Sequence, residues 1–156
     1  MNGKNKIYAA YGSNMCLQQM ARKCPSARVI GVGVLENYKL TFRGIRKGVA
    51  TIERCDGASI PVVLWTITKK CEKALDSYEG FPKLFMKEQV DVRFKNDSVE
   101  AMVYVMVDKY CKIPVKPSLY YIETIQRGYE NHGIIVDGLF NAVQDVYREL
   151  AISKYS

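Results

Sequence analysis

The segment "ARVIGVGVLENYKLTFRG", Ala27–Gly44, decides the architecture. It is rich in β-branched and aromatic residues, and Tyr38, Leu40 and Phe42 alternate with Lys39, Thr41 and Arg43, the period of a half-buried strand. Working outward, the same texture recurs in "VATIER" (Val49–Arg54) and "IPVVLWTI" (Ile60–Ile67). Between them lies "CDGAS", a hairpin-type loop because Asp-Gly supplies positive φ. "FMKEQVDVRF" (Phe85–Phe94) and "VEAMVYVMV" (Val99–Val107) flank the polar turn "KNDS" and predict a further hairpin. With an apolar strand over Lys6–Tyr11 this gives six or seven strands, mostly in meander order, in a barrel or strongly curved sheet.

Helices interrupt and follow these strands. Met15–Lys23 has apolar residues at Met15, Cys16, Met20 and Ala21 and ends before Pro25. Thr68 is placed to cap a helix from Lys69 to Glu79, stopped by Gly80 and Pro82. Ser118 is placed to cap a second from Leu119 to Asn131, with Gly133 just past its end. Asp137 is placed to cap a third from Gly138 to about Ile152. Its stripe of Leu139, Val143, Val146, Tyr147 and Leu150 suits core or lid packing. "CKIPVKPS" is the one linker-like stretch.

The 156 residues are expected to form a single domain, 1–156, with 48% hydrophobic and 25% charged residues. No apolar run approaches the ~20 residues that span a bilayer, and the basic N-terminus lacks the apolar centre of a secretory signal. A cytoplasmic location is the expectation. Five scattered cysteines and one histidine match neither a disulfide framework nor a metal pattern. The net charge of +7 is spread in short pairs such as Arg22-Lys23 and Lys69-Lys70, so a solvated surface is expected rather than a nucleic-acid partner.

Most catalytic arrangements fail on inventory. A Ser-His-Asp or Cys-His site must use His132, which falls at a helix end where it can meet terminal carbonyls. "GVGVLE" (Gly31–Glu36) breaks the dinucleotide fingerprint and continues as strand. Two places remain. In "YAAYGSNM" (Tyr8–Met15) a buried strand stops at Gly12-Ser13-Asn14 before a helix, leaving N–H groups free for an anion or oxyanion; a plain helix cap would look the same. In "LDSYEGFP" (Leu75–Pro82), Glu79 lies among Tyr78 and Phe81 at a helix C-terminus. Desolvation would raise its pKa there, and the helix dipole disfavours its charge, so a compensating partner is expected. A solvent-facing terminal glutamate is the ordinary alternative.

These two motifs, in order with "GVATI" (Gly48–Ile52), "VVLW" (Val62–Trp65) and "PSLYY" leading into "GYENHGI", resemble the γ-glutamylcyclotransferase superfamily, including its AIG2-like and butirosin-pathway members. The resemblance covers nearly the whole chain. It implies an α+β fold, a small mixed β-barrel with flanking helices. It also implies that Tyr11, Gly12, Ser13 and Asn14 form a substrate loop, that Glu79 is the acid/base, and that Tyr121 lines the pocket, with Tyr120 adjacent. Phe85 and Lys87 stand where members often carry tyrosine and arginine.

The implied reaction is cyclisation of a γ-glutamyl-amine or γ-glutamyl-amino acid to 5-oxoproline and free amine, without cofactor or metal. The sequence leaves the leaving amine and the oligomeric state open. A non-catalytic protein binding a small acidic metabolite in the same pocket is the rival reading. A basic nucleic-acid module is a third.

Overall fold

The computed structural model describes residues 5–154. Five strands form a closed barrel: β1 (Lys6–Ala10), β2 (Arg28–Arg43), β3 (Val49–Ile67), β4 (Phe85–Phe94) and β5 (Asp97–Met106). Their order around the ring is β1-β3-β2-β4-β5. Neighbours pair antiparallel except at the closure, where β1 meets β5 in parallel, Tyr8 opposite Met102.

The expected six or seven strands are therefore five, because the "CDGAS" segment is not a turn. "VATIER" and "IPVVLWTI" do not fold back on each other. They lie end to end as β3, and both pair with β2. The register runs from Glu36↔Ser59 to Tyr38↔Arg54, so Asn37 alone faces residues 55–58. Both sides turn through positive φ, Asn37 at 66° and Gly57 at 86°, and the Asn37 side-chain oxygen accepts the Gly57 N–H at 3.1 Å. Asp-Gly thus supplies its positive φ to a bulge that bends two long strands around the barrel.

The helical expectations hold for α2 (Lys69–Glu79) and α3 (Leu119–Asn131), whose caps Thr68 and Ser118 accept the N–H groups of Cys71 and Tyr121. The segment after β1 divides into a 3-10 turn (Ser13–Met15) and α1 (Leu17–Lys23). In α4 (Asp137–Lys154), Leu139, Ala142, Val143 and Val146 are buried while Tyr147 is exposed. This helix packs on β2, where Arg43 pairs with Glu149 at 2.9 Å.

The linker-like stretch is pinned to the barrel. Gly44 and Gly48 donate to the carbonyls of Ile113 and Lys116, and a Cβ on Gly48 would sit 2.0 Å from the Val115 carbonyl oxygen. One unforeseen cross-link appears: Cys24, after α1, and Cys71, in the first turn of α2, form a disulfide between buried sulfurs. Scattered spacing concealed it because the pair meets only through tertiary packing of α1 on α2.

Candidate active site

The barrel is filled by side chains, and a recess opens where β1 ends. Tyr11 closes β1 with its phenol donating to the Tyr104 carbonyl of β5. The chain then makes the 3-10 turn, in which Met15 N–H donates to the Gly12 carbonyl at 3.0 Å and Cys16 N–H to the Ser13 carbonyl at 3.1 Å. Among the described residues, no protein group accepts the N–H of Gly12, Ser13 or Asn14. Neither Ser13 nor Asn14 caps a helix through its side chain.

Asn14 is buried and committed to the protein. Its amide donates to the Tyr8 phenol at 3.0 Å, its side-chain oxygen accepts from Lys23 Nζ at 2.8 Å, and its carbonyl accepts the Trp65 indole N–H at 3.1 Å. Helix α3 fixes the same turn from outside. A Cβ on Gly128 would lie 2.7 Å from Met15 Cβ, so the helix rests on the turn through bare backbone. Asn131 accepts the Leu17 N–H at 2.9 Å, and His132 Nε2 lies 2.9 Å from the Met15 carbonyl oxygen. The solitary histidine meets a carbonyl, but one belonging to the turn after β1 rather than to its own helix.

Glu79 ends α2. Gly80 follows at φ 70°, and the N–H of Phe81 returns to the Asp76 carbonyl at 2.9 Å, closing the helix. The Glu79 carboxylate has no hydrogen bond or ion pair among the described residues. Burial raises its pKa, and the positive charge of Lys23 partly opposes that rise. Lys23 is thus the compensating charge that a glutamate at a helix C-terminus calls for.

The recess has a volume of about 300 Å³ and brings together the candidate catalytic and substrate-binding residues Tyr11, Gly12, Ser13, Asn14, Glu79 and Tyr121, with Tyr120 beside them. Tyr121 reaches inward to accept the Ala50 N–H at 2.9 Å, whereas Tyr120 is 72% exposed at the rim. Phe85 lines the recess; Lys87 does not, being held by Glu72 and Asp76 at 2.7 and 2.9 Å. Among the described residues none of α4 lines it, and Leu139, Ala142, Val143 and Val146 of that helix pack into the core.

Lys23, Gln19, Tyr8 and Tyr104 also line the recess and were not foreseen. A signal existed for two of them, since Gln19 and Lys23 are four apart on the helix leaving the loop and share a face. Tyr8 and Tyr104 read as ordinary strand residues. Burial lifts the pKa of Tyr8, Tyr11, Tyr104 and Tyr121 far above the usual phenol range, so all four stay neutral and can donate hydrogen bonds. Among the described residues, Glu79 is then the one anion lining the recess and Lys23 the one cation.

A family model described as γ-glutamyl cyclotransferase, AIG2-like, matches residues 8–123. The chain belongs to that family. It is accordingly an enzyme of the γ-glutamyl cyclotransferase kind, and the matched span contains the Gly12–Asn14 turn, Glu79 and Tyr121 while leaving out α4. Among curated relatives, γ-glutamylcyclotransferase of Bos taurus is 26% identical over 142 residues, covering 85% of this chain and 74% of that protein. The Homo sapiens γ-glutamylcyclotransferase is 28% identical over 139 residues, covering 82% and 72%. A solved γ-glutamyl cyclotransferase structure superimposes with a TM-score of 0.77 at 24% identity, covering 92% of this chain and 87% of that one. That likeness establishes the shared barrel. No helix among the described residues is long and apolar enough to cross a membrane.

Proposed function

We propose that the protein converts a γ-glutamyl-amine or γ-glutamyl-amino acid to 5-oxoproline and the free amine, with Glu79 as general acid/base. The observation that carries this reading is the unpartnered, desolvated carboxylate of Glu79 sharing one recess with three unused backbone N–H groups. A raised carboxylate pKa brings it closer to the operating pH of a proton shuttle.

The substrate's α-amine attacks its own γ-carbonyl carbon. A C–N bond forms to close the five-membered ring, and the carbonyl oxygen takes the negative charge. In this reading the N–H groups of Gly12, Ser13 and Asn14 serve as donors to that oxyanion or to the α-carboxylate. Glu79 takes a proton from the attacking nitrogen and returns it to the leaving nitrogen, the old C–N bond breaks, and the carbonyl reforms. Because the nucleophile is tethered, orientation alone can be worth ~7–11 kcal/mol. No covalent enzyme intermediate is needed.

The test is 5-oxoproline release from γ-glutamyl-amino acids, γ-glutamylamines and γ-glutamyl-ε-lysine, with Glu79→Gln beside the wild type. Release by the wild type, lost in the variant while substrate binding persists, is the expected result. Tight binding by the wild type without release from any compound would overturn it in favour of a binding protein for acidic metabolites.

A further inference from the structure

The γ-glutamyl end of a substrate has to lie between the turn after β1 and Glu79, because both ends of the proton transfer are there. What lies beyond it is the leaving amine. Gln19, Lys23, Tyr78 and Tyr120 also line the recess, and Tyr78 and Tyr120, 62% and 72% exposed, mark its mouth. Of these only Lys23 carries charge.

Lys23 is an incompletely satisfied cation. Its ammonium has three protons to donate. One goes to Asn14 Oδ1 at 2.8 Å, and the group lies 5.1 Å from the centroid of the Tyr78 ring. Among the described residues no carboxylate comes within 4.0 Å of it. Lys87 makes the contrast, with two carboxylates in contact. Asn14 and the Tyr78 ring fix where the Lys23 ammonium points, and the Glu79 carboxylate attracts it without touching it. A desolvated cation held in this way at a substrate cavity favours an anionic ligand group.

Resting on the cyclotransferase reading above, we propose that Lys23 is a specificity-determining residue: it binds a carboxylate on the leaving amine, so the enzyme prefers γ-glutamyl-amino acids to γ-glutamylamines. The turn's three N–H groups serve the γ-glutamyl end and Lys23 serves the other. A γ-glutamyl-amino acid brings two carboxylates, and the recess offers these two separate anion-binding groups.

The test compares γ-glutamyl-alanine with γ-glutamyl-ethylamine, which differ only by the leaving-group carboxylate, in wild type, Lys23→Met and Lys23→Arg. Any influence of Lys23 on Glu79 is common to both substrates and cancels in the ratio of their kcat/KM values. The wild type should favour the alanine compound by about 10–100-fold, the worth of one charge-assisted contact. Lys23→Met should lose most of that preference, and Lys23→Arg should keep most of it. Turnover of both compounds with a ratio that Lys23→Met leaves unaltered would overturn the assignment. An equal loss on both substrates would overturn it too, by placing Lys23 at the γ-glutamyl end. Absence of 5-oxoproline from either compound with the wild type is a separate result, which removes the cyclotransferase reading and this inference with it.

Discussion

The Tyr121 hydroxyl accepts the backbone N–H of Ala50 at 2.9 Å, tying α3 to the start of β3 across the wall of the recess. Tyr121→Phe keeps the ring and its edge-to-face contact with Phe42 but leaves that N–H without a partner. A loss of about 1–3 kcal/mol is expected, read as a lower midpoint in urea. Tyr120→Phe, whose hydroxyl makes no such bond, should stay within about 0.5 kcal/mol of wild type. The pair of variants separates two adjacent tyrosines that the sequence leaves indistinguishable.

Glu79 links activity to stability with opposite signs. Burial makes the folded protein hold the Glu79 proton more tightly than the unfolded chain does, so folding stability falls as pH rises from the ordinary glutamate pKa through the raised one. Above that window the folded protein carries the full cost of a buried charge. Glu79→Gln should therefore lower kcat by about 10²–10⁴-fold and raise the melting temperature at neutral pH. That thermal gain should vanish below the ordinary glutamate range, where neither protein carries the charge. Melting curves at several pH values check the sign. In wild type, kcat/KM should begin to fall on the acid side at a pH above the ordinary carboxylate range.

Gly128 is where α3 rests on the turn after β1. In Gly128→Ala the new methyl would have to displace Met15 Cβ at 2.7 Å and the Cys16 nitrogen at 2.8 Å, both fixed to backbone. A cost of about 1–3 kcal/mol is expected. Because the displaced backbone continues the turn proposed to bind substrate, kcat/KM should fall as well under conditions where the variant is fully folded. Gly138→Ala in α4, where a Cβ meets nothing within 4 Å, is the matched control and should change neither quantity appreciably.

The Cys24–Cys71 cross-link closes a sequence separation of 47 residues. Loop entropy on that scale corresponds to about 4 kcal/mol, with measured cases commonly 2–4. The double variant Cys24→Ala/Cys71→Ala should lose roughly that much stability in denaturant. Titration with dithiothreitol should move wild type towards the variant and leave the variant itself unmoved.

Much of this fold could be read in the chain because its helices carry their own punctuation. Thr68, Gly80 and Ser118 act locally, and each does in the structure what its chemistry dictates. The strand count failed at Asp56-Gly57 because positive φ serves a turn and a bulge equally. The choice between them was made by Asn37, nineteen positions earlier on the facing strand (56 − 37). The recess followed a similar rule. Gly12, Ser13, Asn14 and Glu79 stand in short unusual motifs, whereas Lys23 and Tyr104 look ordinary until the barrel gathers them. His132 acts on a carbonyl 117 residues away, a partner no local pattern could supply.

The parallel seam between β1 and β5 governs the order of assembly. Tyr8 and Met102 are ninety-four positions apart (102 − 8), and β1's other neighbour, β3, is also distant in the chain. The hairpins β2–β3 and β4–β5 can form from nearby sequence, but β1 has no local partner and must wait for both. The turn proposed to bind substrate is anchored to the end of that late-docking strand. Catalytic competence should therefore emerge in a single step during refolding, at ring closure, with no partly active species before it.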